Sequence, residues 1–165
     1  MKKLFRFIPF ILLLFFFTSC SQSNDEAVKT AVKKYVDVWN GGSLDSLDTI
    51  TSEDFELRMN PKFEPLKGRD KLKEGVTKTR YAFPDFTVDK KEMIVLGDTA
   101  IAVSWTISGT YKNPQDSLGY GNRTEAEGFS IIFFDEGILT GEWIGYSDLE
   151  WYKGMGYELQ FAKRK

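Results

Sequence analysis

Four carboxylates and two tyrosines are the groups in this chain that could carry chemistry: Asp37, Asp85, Glu142 and Asp148, with Tyr111 and Tyr146. The sequence holds no histidine, and its single cysteine is Cys20. Imidazole acid–base catalysis and histidine metal ligation are therefore excluded. The carboxylates are scattered without ligand spacing, so no transition-metal site is expected. There is no phosphate-binding glycine loop, nucleophilic serine motif or nucleotide fingerprint, and no cofactor is expected. Asp37 reads as a charge on a helix surface and Asp85 as a turn residue. Glu142 has two readings, a chemical group beside Trp143 or a surface charge on the opposite face. Asp148 is either a reactive acid or a solvated aspartate ending the last strand. An aromatic set, Tyr35, Trp39, Phe55, Trp105, Phe129 and Trp143, with Met59 and Ile107 beside it, suits a small-molecule pocket. Such pockets are mostly apolar with a few placed polar groups. Core packing accounts for the same residues, so only part of the set is expected to face a cavity.

The elements that must position these groups are legible as periodicities. Ala27, Val28, Ala31, Val32, Tyr35, Val36 and Trp39 recur at helical spacing after a cap at Asn24 or Asp25, and Asn40-Gly41-Gly42 ends that helix. Ser43 caps a shorter helix carrying Leu44, Leu47 and Ile50. Residues 55–59 alternate as a strand closed by Asn60-Pro61. A third helix opens at Gly68-Arg69-Asp70 and stops before Phe83-Pro84-Asp85. Strands are expected at 86–96, 100–111, 123–134 and 138–148, with Gly97-Asp98 and Asp135-Glu136-Gly137 as tight turns and a polar loop at 113–122. Helices followed by hairpin-linked strands make an α+β order, and the missing helices between the last four strands exclude a parallel βαβ fold. The tail from Leu149 to Lys165 is rich in aromatics and is expected to pack against the sheet or a partner, because exposed it would be a liability.

The first twenty residues read as a targeting peptide. Lys2, Lys3 and Arg6 precede an apolar run from Phe7 to Phe17, and Thr18-Ser19-Cys20 follows. That run is too short for a bilayer core, which takes about 20 helical residues, but it suits a secretory signal. The small residues before the lone cysteine resemble a bacterial lipobox, which implies lipidation at Cys20 and a membrane anchor in the cell envelope. Several acyl chains on one cysteine hold firmly, because each buried CH₂ contributes about 0.8 kcal/mol. The domains expected are a signal peptide at 1–20, a short flexible tether at 21–26 and one globular domain at 27–162. Cleavage takes three basic residues and no acids, so 22 Lys and Arg become 19 against 24 Asp and Glu, a net charge of −5. An acidic domain is not expected to bind nucleic acid.

The order of elements, with Gly68-Arg69-Asp70-Lys71-Leu72-Lys73, Phe83-Pro84-Asp85-Phe86, Gly97-Asp98, Val103 to Thr110 and Glu142-Trp143, resembles the SnoaL-like polyketide cyclases of the NTF2-like superfamily. The resemblance runs from about Val28 to Gly156. It implies an NTF2-like cone, in which a strongly curved mixed or antiparallel sheet wraps the helices around an apolar cavity. It also implies Asp148 as a base toward a carbon acid, its carboxyl raised by an apolar setting, with Tyr111 or Tyr146 donating to an enolate. Two departures stand out. Tyr111 occupies a position where relatives often carry histidine, and four residues instead of three separate Trp143 from Asp148, which flips a side chain unless a bulge absorbs it. Three functions follow as expectations. The first is an anchored domain binding a small apolar molecule, the second an enzyme of cyclase, isomerase or hydrolase type using Asp148, and the third an interaction domain forming a homodimer.

Overall fold

In the computed structural model the described residues are 19–59, 64–115, 119–158 and 160. The signal segment before Ser19, the Asn60-Pro61 turn, and Leu159, Phe161 and Lys163 to Lys165 of the tail lie outside them.

Helix α1, Ser19–Trp39, buries Val28, Ala31, Val32 and Tyr35 of the expected stripe, and Val38 besides; Val36 and Trp39 are half-buried and Ala27 is exposed. It begins earlier than its expected cap. Nothing between Ser19 and Trp39 is glycine or proline, so the backbone stays helical through residues 21–26, which the sequence suggested as a flexible tether. The helix stops where Gly41 takes a φ of 103° and Gly42 passes so close to Asp37 that a Cβ would lie 2.7 Å from its carbonyl oxygen. The guanidinium of Arg80 donates to the carbonyls of Val38 and Gly42, satisfying groups that a helix end leaves open.

A 3₁₀ turn at Leu44–Ser46, capped by Ser43, leads into α2, Leu47–Ile50. Strand β1 spans Thr51–Arg58, β2 Leu66–Lys67 and α3 Arg69–Ala82, followed by β3 Thr87–Leu96, β4 Ala100–Thr110, β5 Arg123–Asp135 and β6 Ile138–Tyr146. The six strands form one curved, open sheet in the order β2-β1-β6-β5-β4-β3. All neighbours are antiparallel except β1 and β6. The α+β architecture and the NTF2-like cone are as expected.

The last strand stops at Tyr146, two residues before its expected end. Ser147 turns the chain, its Oγ accepting from the Glu150 N–H, and α4 runs from Asp148 to Gly154. The Ser147-Asp148-Leu149-Glu150 order is a helix-start pattern that the aromatic content of the tail obscured. This helix buries Trp151, and Met155 behind it is buried as well, so part of the tail does pack on the sheet.

Register on β6 decides what faces inward. Phe134 pairs with Leu139, but Phe133 pairs with Gly141, so Thr140 is an extra residue. A one-residue bulge inverts the alternation beyond it. Leu139 and Glu142 therefore both point toward the helices, and Trp143 points away. Simple alternation from Leu139 would have put Gly141 and Trp143 inside.

Candidate functional site

The concave face of the sheet and the helices line a half-open cavity of about 190 Å³. Tyr35, Val36 and Trp39 of α1 form one wall, and Val103, Trp105 and Ile107 of β4 another. Ser130 and Ile132 of β5 and Glu142, Ile144 and Tyr146 of β6 complete the sheet side. Phe83 and Phe86 follow α3, and Trp151 comes from α4. Their rings lie edge to face or tilted, with centroids 5.0 Å apart for Phe83 and Trp151 and 6.1 Å for Trp39 and Phe86. These are the separations that aromatic quadrupoles favour.

A buried polar cluster breaks the apolar lining. The Tyr35 hydroxyl donates to Glu142 Oε2 at 2.7 Å, and Trp105 Nε1 donates to Ser130 Oγ at 2.9 Å. The Ser130 hydroxyl, its oxygen accepting from the indole, also lies beside the Glu142 carboxyl and favours its charged form. Glu142 is 5% exposed and Tyr35 2%. Burial disfavours the charged carboxylate and holds Glu142 above its ordinary value, with the Ser130 and Tyr35 hydroxyls acting in the opposite direction. Tyr35 is held well above the usual phenol range, first by burial and then by the neighbouring glutamate. Tyr146 is raised by burial and by Asp148, to which its hydroxyl is hydrogen-bonded.

Of the expected pocket residues, Tyr35, Trp39, Met59, Trp105 and Ile107 line the cavity. Phe55 does not; it is fully buried behind Tyr35, their ring centroids 5.9 Å apart. Phe129 and Trp143 are 56% and 54% exposed on the outer face of the sheet, where Trp143 meets Phe133 edge to face. The parity of β5, whose Ser130 and Ile132 point inward, puts Phe129 outside, and the Thr140 bulge does the same for Trp143.

The expected catalytic pair is placed elsewhere as well. Asp148 is exposed at the head of α4, because the strand ends before reaching it. The desolvating setting expected of Asp148 belongs to Glu142. Tyr111 is buried in a second cluster with Phe83, Ala126, Trp151 and Met155, behind the cavity wall. Asp37 is an exposed helix residue. Asp85 is a turn residue that accepts from the Thr110 N–H and hydroxyl at 2.6 and 2.7 Å, which holds its carboxyl below the ordinary value.

The glutamate reading as an outer surface charge is corrected by the bulge. Ser130 is not singled out by the sequence; its signal is a hydroxyl on the inward face of β5 between Ala126 and Ile132. Among the described residues no three carboxylate, cysteine or histidine side chains converge to hold a metal ion.

The model of one protein family, described as SnoaL-like polyketide cyclase, matches residues 29–153. No curated protein sequence matches this chain significantly. Among solved structures, the chain is similar to a candidate SnoaL-like polyketide cyclase from Jannaschia sp. CCS1, with a TM-score of 0.70 at 13% identity, covering 81% of this chain and 94% of that one. It is also similar to a candidate polyketide cyclase from Acidithiobacillus ferrooxidans, with a TM-score of 0.67 at 24% identity and coverage of 79% and 94%. A phenazine biosynthesis-related protein from Pseudomonas aeruginosa gives a TM-score of 0.64 at 17% identity and coverage of 87% and 96%. At these identities the likeness extends to the fold.

Proposed function

This chain belongs to the SnoaL-like polyketide cyclase family, and from that premise we propose that it binds a small, largely apolar molecule in the cone. The observation that carries this reading is the cavity itself. It is lined by aromatic and aliphatic side chains from both helical and sheet elements, with one polar cluster at Glu142. A dry cavity of roughly 150 Å³ accepts benzene, so about 190 Å³ suits a molecule of one or two rings. Binding is the reading this lining supports, because Glu142 is the one carboxylate lining the cavity among the described residues and the Tyr35 hydroxyl is bonded to it.

The outer face of the sheet supports a compatible reading, a homodimer. Ile94, Leu96, Phe129 and Trp143 are exposed there, and a contiguous apolar patch of this kind marks an interaction surface. One experiment separates the two. Native mass spectrometry of the full chain, released from nanodiscs, is expected to show a bound small molecule on a two-subunit species. Ile144→Trp fills the cavity and is expected to lose the molecule while keeping two subunits. Trp143→Ala is expected to do the reverse. Ligand loss in the outer-face variant but not in the cavity variant would sink the reading.

The same proposal places the domain at a membrane through lipid on Cys20, on the support of the basic, apolar and small-residue order of the first twenty residues. Cys20→Ser is expected to move the chain from the membrane fraction to the soluble fraction of a bacterial host. Unchanged fractionation would count against the anchor.

A further inference from the structure

The polar cluster in the cavity can be counted proton by proton. Trp105, Ser130 and Tyr35 each have one polar hydrogen: the indole donates to Ser130, Tyr35 donates to Glu142, and the Ser130 hydroxyl stands beside the same carboxyl, the acceptor in its reach. With Glu142 ionised, the cluster is closed and carries a buried negative charge. With Glu142 protonated, there is one hydrogen more than the cluster has bonds for. That hydrogen can point outward from the carboxyl, or the carboxyl can donate it to the Tyr35 oxygen while the phenol hydrogen turns outward, and the count does not change. In either arrangement one hydrogen is left for a partner outside the cluster, and both residues that can carry it line the cavity.

Burial without a cation works toward the protonated form, against the hydroxyls beside the carboxyl. On β6 itself Tyr146, also a cavity residue, hydrogen-bonds to Asp148. The groups facing Glu142 are Tyr35 from α1, Ser130 and Ile132 from β5, and Leu57 from β1. No lysine or arginine lines the cavity among the described residues, so no cation offsets the cost of a buried carboxylate. A buried acid kept neutral can serve as a hydrogen-bond donor instead of a charge.

We propose that Glu142 is the specificity-determining group of this pocket. Its cluster presents one hydrogen-bond donor to the ligand, and so selects a neutral molecule of one or two rings bearing a carbonyl oxygen over both the bare hydrocarbon and the corresponding carboxylate. The hydrocarbon covers the donor without pairing it, which costs free energy once the donor is removed from water. The carboxylate brings a second negative group beside Glu142 with no cation to balance it. This inference deepens the pocket reading and rests on it.

The test uses three probes of one shape, 1-indanone, indane and indane-1-carboxylate, titrated calorimetrically into the full chain in nanodiscs, with empty nanodiscs subtracted. Indanone is expected to bind about tenfold more tightly than indane, the fold-change of one well-made hydrogen bond, and the carboxylate more weakly than the ketone. Raising the pH through the titration of Glu142 is expected to remove the ketone's advantage over indane. Glu142→Gln retains a donor that does not titrate, so its ketone preference is expected to persist at every pH. Equal binding of indanone and indane by the unmodified chain, or tightest binding of the carboxylate, overturns the inference while leaving the pocket reading intact. No binding of any probe overturns the pocket reading and the inference with it. The comparison among probes is made on the unmodified chain, so it does not depend on any variant folding.

Discussion

Gly128→Ala is expected to destabilise the domain by about 1–3 kcal/mol, the range for a methyl forced into a filled core, and to close part of the cavity. Gly128 pairs with Trp105 on β4 and with Tyr146 on β6, all three on the concave face. A Cβ there would stand 2.3 Å from Trp105 Cη2 and 2.6 Å from both Trp105 Cζ3 and the Gly145 carbonyl oxygen. The glycine serves space here and not a special backbone angle, since its φ is not positive. The indole has little freedom to yield, because its Nε1 is held by Ser130 and its ring lies 6.3 Å from that of Tyr146. Displacing it would also take the indole N–H from Ser130, and with it the support of the Glu142 cluster. Urea unfolding followed by tryptophan fluorescence measures the loss. A variant within about 0.5 kcal/mol of the parent, the range of a neutral surface change, would show that Trp105 is not wedged as described.

Glu142→Gln is expected to change the pH dependence of stability more than its value at any single pH. The Glu142 carboxyl is raised above its ordinary value of 4.5 by burial. In the unfolded chain it ionises near that ordinary value; in the folded chain it keeps its proton to a higher pH. Between the two, the unfolded state holds one proton fewer than the native state, so stability falls with rising pH, at about 1.4 kcal/mol per pH unit. The contribution is complete below the ordinary value and is lost as pH rises through the raised one. Glutamine has no proton to lose, so this slope is expected to be missing from the variant. Exposed acids with lowered values work in the opposite sense at low pH. Glu74, pulled to about 2 by Lys71 and Lys78, is one, and Asp48 beside Lys73 is another. They are common to both proteins and cancel in the difference. Denaturation midpoints measured across pH, subtracted between parent and variant, isolate Glu142. A flat difference would mean that the carboxyl is not desolvated in the native state.

Much of the fold is legible in the sequence because it rests on local chemistry. The stripe of Val28, Val32 and Tyr35, the Asn40-Gly41-Gly42 stop and the Asp135-Glu136-Gly137 turn each act over a few residues. In the turn, Glu136 and Gly137 take φ values of 46° and 81°, as a two-residue hairpin requires. The α+β order followed from these. The aromatic wall was legible in part: Tyr35, Trp39 and Trp105 follow from periodicity, whereas Phe83 and Phe86 come from a connection and Trp151 from a helix in the aromatic tail, whose first residue, Asp148, reads as the end of the last strand.

The identity of the polar group in the cavity was decided by the tertiary structure. In the sequence, Glu142 and Trp143 are neighbours on a strand, and alternation says only that they face opposite ways. Which one enters the core depends on Thr140, an extra residue recognisable only when β5 and β6 are paired. A register is a property of two strands, and its energy lies in which side chains the sheet buries. The sequence by itself determined the elements, their order, the family resemblance and the absence of histidine and thiol chemistry in the domain. Tertiary pairing decided that a glutamate faces the cavity and a tryptophan faces outward, because one bulged residue inverts every side chain beyond it.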